Sequence, residues 1–129
     1  MAQQQYLIDT NAVIDFLSNK LPETAMYFMN DIFDDVPNIS VVTKIELLGF
    51  NAPDEHYQLL TSFVNDTIVL DLSEKVVDEC IKIRKKYKTK LPDAIIAATA
   101  MVHELILITR NISDFNSIEG LQVINSYHL

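Results

Sequence analysis

The 129-residue chain is long enough for one domain with a hydrophobic core, and 49% hydrophobic with 22% charged residues excludes disordered and fibrous classes. No apolar run approaches the roughly 18 residues of a membrane span. Eighteen acidic against ten basic residues leave a net charge of −8, which speaks against broad nucleic-acid binding through a cationic surface but not against a nuclease, whose metal-binding carboxylates enter the same count.

Met1-Ala2-Gln3-Gln4-Gln5 carries no basic patch followed by a long apolar run, so no leader is expected and a cytoplasmic protein fits best. Tyr6-Leu7-Ile8 is a short apolar run ending at Asp9 and reads as a buried strand. Asn11–Leu17 follows as a helix, with Val13, Ile14 and Leu17 on one face. Pro22–Phe33 is a second helix, its proline and Glu23 suited to a first turn. Its Ala25–Phe33 stretch is apolar on more than one face, which suits core packing or an adaptable contact surface. Ile39–Val42 reads as a strand. Thr43-Lys44-Ile45-Glu46 has capping-box spacing and predicts a helix opening there and running towards Gly49. Asp54–Val64 is helical, and Thr67–Leu70 is a strand. Ser73–Lys86 is a helix with Val76, Val77, Cys80, Ile81 and Ile83 as its inner face. Pro92-Asp93 opens an alanine-rich helix to about His103. Strands at Leu105–Thr109 and, more weakly, Gln122–Ile124 complete the chain. Neither linker nor repeat interrupts it, so residues 1–129 read as a single domain. Short apolar strands alternating with helices predict an α/β fold, with a central, mainly parallel sheet of about five strands flanked by helices.

Other chemistries drop out by inspection. Two glycines, Gly49 and Gly120, cannot build a Walker loop or a GxGxxG turn. One cysteine, Cys80, excludes an internal disulfide and a multi-cysteine zinc site; it reads as a small core residue. His56, His103 and His128 are scattered. What remains is four carboxylates at structural boundaries: Asp9 after the first strand, Glu46 in a first helical turn, Asp93 at a helix start, and Asp114 in the loop after Thr109-Arg110-Asn111. Each has a bland reading. Glu46 closes a capping box, Asp93 complements a helix dipole, and Asp114 is a loop residue. Asp9 resists such a reading, because an acid ending a buried strand is costly without partners. In parallel sheets, ligands bind beyond the carboxyl ends of the central strands.

The residues carry a resemblance. Leu7-Ile8-Asp9-Thr10-Asn11, Ser40-Val41-Val42-Thr43-Lys44-Ile45-Glu46-Leu47, Leu91-Pro92-Asp93-Ala94-Ile95-Ile96-Ala97-Ala98-Thr99-Ala100 and Ile108-Thr109-Arg110-Asn111-Ile112-Ser113-Asp114-Phe115 resemble, in order, the four blocks of PIN-domain ribonucleases. They are most similar to VapC-type toxins of type II toxin–antitoxin pairs. The resemblance runs from Tyr6 to about Ile124. It implies a PIN-like fold, an endoribonuclease activity, an antitoxin partner and a homodimer. It assigns Asp9, Glu46, Asp93 and Asp114 as the catalytic, metal-holding acids, with Thr10, Asn11 and Thr109 as the polar residues beside them. Asp15 is expected to be a surface acid or a helper.

The residue types suit that chemistry. Mg²⁺ and Mn²⁺ prefer oxygen ligands in octahedral surroundings. Such an ion polarises a phosphodiester and lowers the pKa of bound water, so no histidine base is needed. Without metal, clustered acids repel one another and some acquire raised pKa values. Six of the ten basic residues lie together as Lys82, Arg84, Lys85, Lys86, Lys88 and Lys90, immediately before Asp93. Lys85, Lys86, Lys88, Lys90 and Arg110 are therefore candidate RNA contacts. An ordinary solvated helix end accounts for the same lysines, and Arg110 equally suits pairing with a nearby acid. A phosphatase of the haloacid dehalogenase type would need Asp where Asn11 stands. A catalytically idle protein- or RNA-binding module is the remaining alternative.

Overall fold

The computed structural model describes residues 5–49 and 51–129; residues 1–4, part of the stretch read for a leader, lie outside them. Five strands form one sheet: β1 (Tyr6–Ile8), β2 (Asn38–Ser40), β3 (Ile68–Leu70), β4 (Ile106–Thr109) and β5 (Val123–Asn125). Their order is β3-β2-β1-β4-β5, and every pairing is parallel. The expectation of a mainly parallel α/β sheet is met, and the sheet is wholly parallel. Six helices connect the strands: α1 (Thr10–Leu17), α2 (Glu23–Asp34), α3 (Val41–Leu48), α4 (Asp54–Asn65), α5 (Glu74–Lys86) and α6 (Leu91–Val102). Single 3₁₀ turns follow β4 at Ile112–Asp114 and β5 at Ser126–His128. No helix among the described residues is long and apolar enough to cross a membrane.

Helices on both faces explain why the central strands read as unbroken apolar runs. Successive strand residues point to opposite faces. Leu7 and Leu107 join the layer with Val76, Cys80 and Ile83 of α5 and the alanines of α6. Ile8 and Ile108 join the other, with Val13, Ala25, Met29, Leu47 and Leu60. Ala94, Ala97, Ala98 and Ala100 are all buried; their small side chains let α6 lie close to the sheet. The α2 stretch is mainly core. Ala25 and Met29 are buried, and Met26, Phe28, Ile32 and Phe33 are partly covered. The Phe33 ring meets Phe16 and Phe63 edge-on, at centroid distances of 4.3 and 5.2 Å. Tyr27, at 66% exposure, is its outward-facing aromatic side chain.

Three expectations fail for physical reasons. The strand predicted at Ile39–Val42 stops at Ser40, and the helix predicted to open at Thr43 opens at Val41. Ser40 is extended, and its Oγ accepts the Thr43 backbone N–H at 3.2 Å. A serine cap thus overrides the strand preference of the valine pair. The α5 face is narrower than predicted. Val76, Cys80 and Ile83 are buried, whereas Val77 and Ile81 are 36% and 49% exposed, because α6 covers only one stripe of the helix.

The sheet order places the site. From β1 the chain moves outward through β2 and β3, then returns to β4 on the other side of β1. The carboxyl ends of β1 and β4 therefore flank the topological switch point, the place where ligands bind in open parallel sheets.

Candidate active site

Asp9 follows β1 directly, in extended conformation, and caps α1. Its backbone N–H donates to the Ile108 carbonyl at 2.9 Å, tying it to β4. The side chain is buried, and such a carboxylate needs hydrogen-bond donors. It has three. Oδ1 accepts the Thr10 N–H at 2.8 Å. Oδ2 accepts the Thr109 hydroxyl at 2.7 Å and the Asn11 amide at 3.1 Å. Burial nevertheless lifts the Asp9 carboxyl above the usual carboxylate range; the Thr109, Thr10 and Asn11 bonds oppose this, and the Glu46 charge adds to it.

The early opening of α3 decides what Glu46 does. With Ser40 as cap, Glu46 is the sixth helical residue, in the second turn and no part of a capping box. It reaches Thr10, whose hydroxyl donates to Oε1 at 2.6 Å. The buried Thr43 hydroxyl lies 3.0 Å from that of Thr10. Asp93 is in the first turn of α6, two residues after the proline-containing start. Asp114 ends the 3₁₀ turn after β4 and is exposed.

The electrostatics of Asp93 connect all four acids. Partial burial lifts its carboxyl, then Asp9, Asp114 and Glu46 each lift it further, while Lys90 pulls it down. One half-buried carboxyl thus feels three others from three different elements. Among the described residues no three acids, histidines or cysteines form a group that could hold a metal ion as the side chains stand. The donors there are oxygens alone, of the hard type that suits Mg²⁺ or Mn²⁺ rather than zinc or copper. Their mutual repulsion is the kind of field a divalent cation relieves. By donor chemistry and charge, the residues fit such an ion.

The other predicted residues divide. Thr109 is fully buried, donates to Asp9, and accepts the Asn111 N–H at 3.1 Å. Asn11 donates to Asp9 and, at 3.3 Å, to Thr109. Lys90, the residue preceding α6, is the cation whose charge reaches Asp93. Lys85 and Lys88 are exposed. Lys86 pairs with Glu119 at 3.2 Å and lies 5.5 Å over the Tyr87 ring, so much of its charge is spent locally. Arg84 folds the connection back by donating to the Thr89 carbonyl at 2.8 Å.

Arg110 is held in an ion pair: Nη1 lies 3.1 and 3.0 Å from Oδ1 and Oδ2 of Asp15. Asp15 is 2% exposed, so its reading as a surface acid is corrected. A buried acid contacting a residue 95 positions away has no local sequence signal. Its one trace is the i, i+4 spacing of Asn11 and Asp15 on a single face of α1. A cavity of about 420 Å³, lined by Tyr6, Phe28, Ile32, Asn38 and Ile68, opens at the amino edge of the sheet, and none of the four acids lines it.

A family model described as "PIN domain" matches residues 6–121. Among solved structures, a toxin–antitoxin complex from Klebsiella pneumoniae is 32% identical, with 95% of this chain and 98% of that chain covered at a TM-score of 0.74. FitAcB from Neisseria gonorrhoeae is 25% identical over 97% of this chain and 100% of that chain, with a TM-score of 0.77. DNA-bound VapBC from Salmonella typhimurium has a TM-score of 0.81 at 24% identity, covering 96% and 99%, and shares the fold. A search of curated proteins finds no matching sequence.

Proposed function

We propose, from the premise that this chain belongs to the PIN domain family, that it is a divalent-metal-dependent endoribonuclease and the toxin of a toxin–antitoxin pair. The observation that carries this reading is where the four acids stand around the switch point of a parallel sheet: Asp9 buried at the end of β1, Glu46 bonded to its neighbour Thr10, Asp93 in the first turn of α6 and Asp114 in the turn after β4, close enough for the other three charges to raise the Asp93 carboxyl. A purely structural set of caps would not couple residues from four separate elements in this way.

Asp9, Glu46, Asp93 and Asp114 would hold Mg²⁺ or Mn²⁺. Such an ion supplies Lewis-acid polarisation of a phosphodiester and acidifies water. The chain's own residues supply alignment. Thr109 and Asn11 hold Asp9 Oδ2 on one side, and the Thr10 N–H holds Oδ1. Three donors use three of roughly four lone-pair positions on the carboxylate, leaving one for a cation. The Thr10 hydroxyl keeps Glu46 turned towards Asp9. Lys90 offsets the charge at Asp93, and with the exposed Lys85 and Lys88 it would offer a phosphate chain positive charge.

The antitoxin reading draws support from the Klebsiella complex, a relative at 32% identity. Exposed Ile45, Val77, Ile81 and Leu91 offer apolar surface for the homodimer that the sequence resemblance implies. The test is RNA cleavage with Mn²⁺ or Mg²⁺, with and without chelator. Cleavage that needs the ion and disappears in a folded Asp9→Asn variant is expected. Metal-independent cleavage, or full activity of that variant, overturns the proposal; a folded protein that binds RNA or an antitoxin without cleaving is the idle-module alternative.

A further inference from the structure

Asp15 belongs to none of the four acidic blocks, yet it is among the most deeply buried charges in the described structure. At 2% exposure it is more enclosed than Asp9. A carboxylate is rarely that buried unless paired. Its partner is Arg110, whose guanidinium side chain stays 48% exposed while Nη1 contacts both Asp15 oxygens. The pair joins the last half of α1 to the residue that follows β4.

That residue does a second thing. The backbone N–H of Arg110 donates to Asn11 Oδ1 at 2.9 Å. With its oxygen so engaged, the Asn11 amide must turn Nδ2 the other way, towards Asp9 Oδ2 and Thr109 Oγ1 at 3.1 and 3.3 Å. An unheld amide could flip and present oxygen to Asp9, an acceptor facing an acceptor. One continuous chain of contacts therefore runs Asp15, Arg110, Asn11, Asp9.

We infer that Asp15, acting through Arg110, is a positioning residue that locks the Asn11 amide in the one orientation that leaves Asp9 ready for a cation. This rests on the metal-dependent reading above and adds to it a residue outside the acidic quartet. It also gives Arg110 a task other than direct RNA contact. Asn11 is the partner one step beyond the proposed ligand Asp9; such partners commonly matter about 10- to 100-fold for metal affinity or activity, and Asp15 acts through it at the lower end of that range.

The experiment compares Asp15→Asn, Arg110→Lys and Arg110→Met with the wild-type protein. Asp15→Asn keeps shape and one acceptor, so it is expected to fold. Arg110→Lys retains a single nitrogen for Asp15, which is all the pair uses. Mn²⁺ affinity is measured by calorimetry without RNA, and the Asn11 side-chain amide is followed by NMR without metal. Asp15→Asn and Arg110→Met should weaken Mn²⁺ about tenfold, with an Asn11 amide that exchanges faster with solvent. Arg110→Lys should restore both to near wild-type values. In cleavage assays the Asp15→Asn loss should sit in kcat and recover as Mn²⁺ is raised.

Wild-type Mn²⁺ affinity and an unchanged Asn11 amide in folded Asp15→Asn overturn the inference, leaving the pair structural. Normal Mn²⁺ affinity in Arg110→Lys and Arg110→Met, with KM for RNA raised in both, overturns it in favour of an RNA contact. If wild-type protein binds no Mn²⁺, the metal-dependent reading fails instead. The Asn11 amide then still decides whether Asp15 and Arg110 hold it.

Discussion

Replacing Thr109 by valine isolates the hydrogen bonds that hold Asp9. The two side chains have nearly the same shape, and the site is fully buried, so packing changes little. Three contacts vanish: the 2.7 Å bond to Asp9, the 3.1 Å bond from the Asn111 N–H and the 3.3 Å bond from Asn11. Asn111 is exposed, and its N–H rehydrates at small cost. The bond to Asp9 joins a buried, charged acceptor, for which about 1.5–3 kcal/mol is typical. The expected loss is about 2 kcal/mol near neutral pH, or a fall in Tm on the order of 8 °C for a domain of this size. The loss should also depend on pH. Burial raises the Asp9 pKa, and the Thr109 bond is the largest influence opposing it. That bond favours the ionised carboxyl, so its contribution is present above the folded-state pKa and fades as pH falls through it. Urea unfolding of both proteins from pH 8 down through the carboxylate titration range measures this difference directly. A Thr109→Ser control keeps the hydroxyl and should show only a small, pH-independent deficit. A valine deficit below about 0.5 kcal/mol, or one equal at both ends of the range, would refute the claim that Thr109 supports the Asp9 charge.

Asp93→Asn should abolish cleavage while making the metal-free protein more stable near neutral pH, by a few degrees in Tm. The folded-state pKa of Asp93 is raised, so its ionised form costs stability above the ordinary carboxylate range, and wild-type stability grows as pH falls through the folded value. Thermal melts of both proteins should therefore converge on acidification; a variant less stable than wild type at neutral pH contradicts the crowding of acids there. Mn²⁺ should raise the wild-type Tm, as any ligand selective for the folded state does, through about 2.7 kcal/mol of added stability at 100 times its Kd, and raise that of Asp93→Asn much less. Reversing Lys88 and Lys90 to glutamate should reduce kcat/KM for RNA about tenfold at low salt, with the difference closing near 1 M salt as screening shortens. Lys86→Glu should matter less, because Glu119 already neutralises that cation; equal effects at all three lysines would point to general charge rather than a path to Asp93.

The sequence by itself determined most of the elements, and its resemblance to PIN-domain ribonucleases singled out the four acids. Strands such as Tyr6–Ile8 and Ile106–Thr109 are legible because burial on both faces demands unbroken apolar runs. The α6 start is legible from its proline and first-turn acid. Those are short-range signals, carried by neighbours within a few residues. The site's inner wiring is different in kind. Glu46 left its expected capping box because Ser40, six residues earlier, caps α3 first. Val77 and Ile81 lie outward because α6 covers a single stripe of α5, which no periodicity within α5 reveals. The Thr109 bond to Asp9 and the Arg110 pair with Asp15 span 100 and 95 residues of chain. They exist because β1 and β4 are hydrogen-bonded neighbours in register, Ile8 beside Ile108, which brings Asp9 and Thr109 together at the same edge. Strand order is settled by packing both sheet faces at once, a property of the whole chain. Only that tertiary choice turned an apparent surface acid, Asp15, into a buried partner of the site.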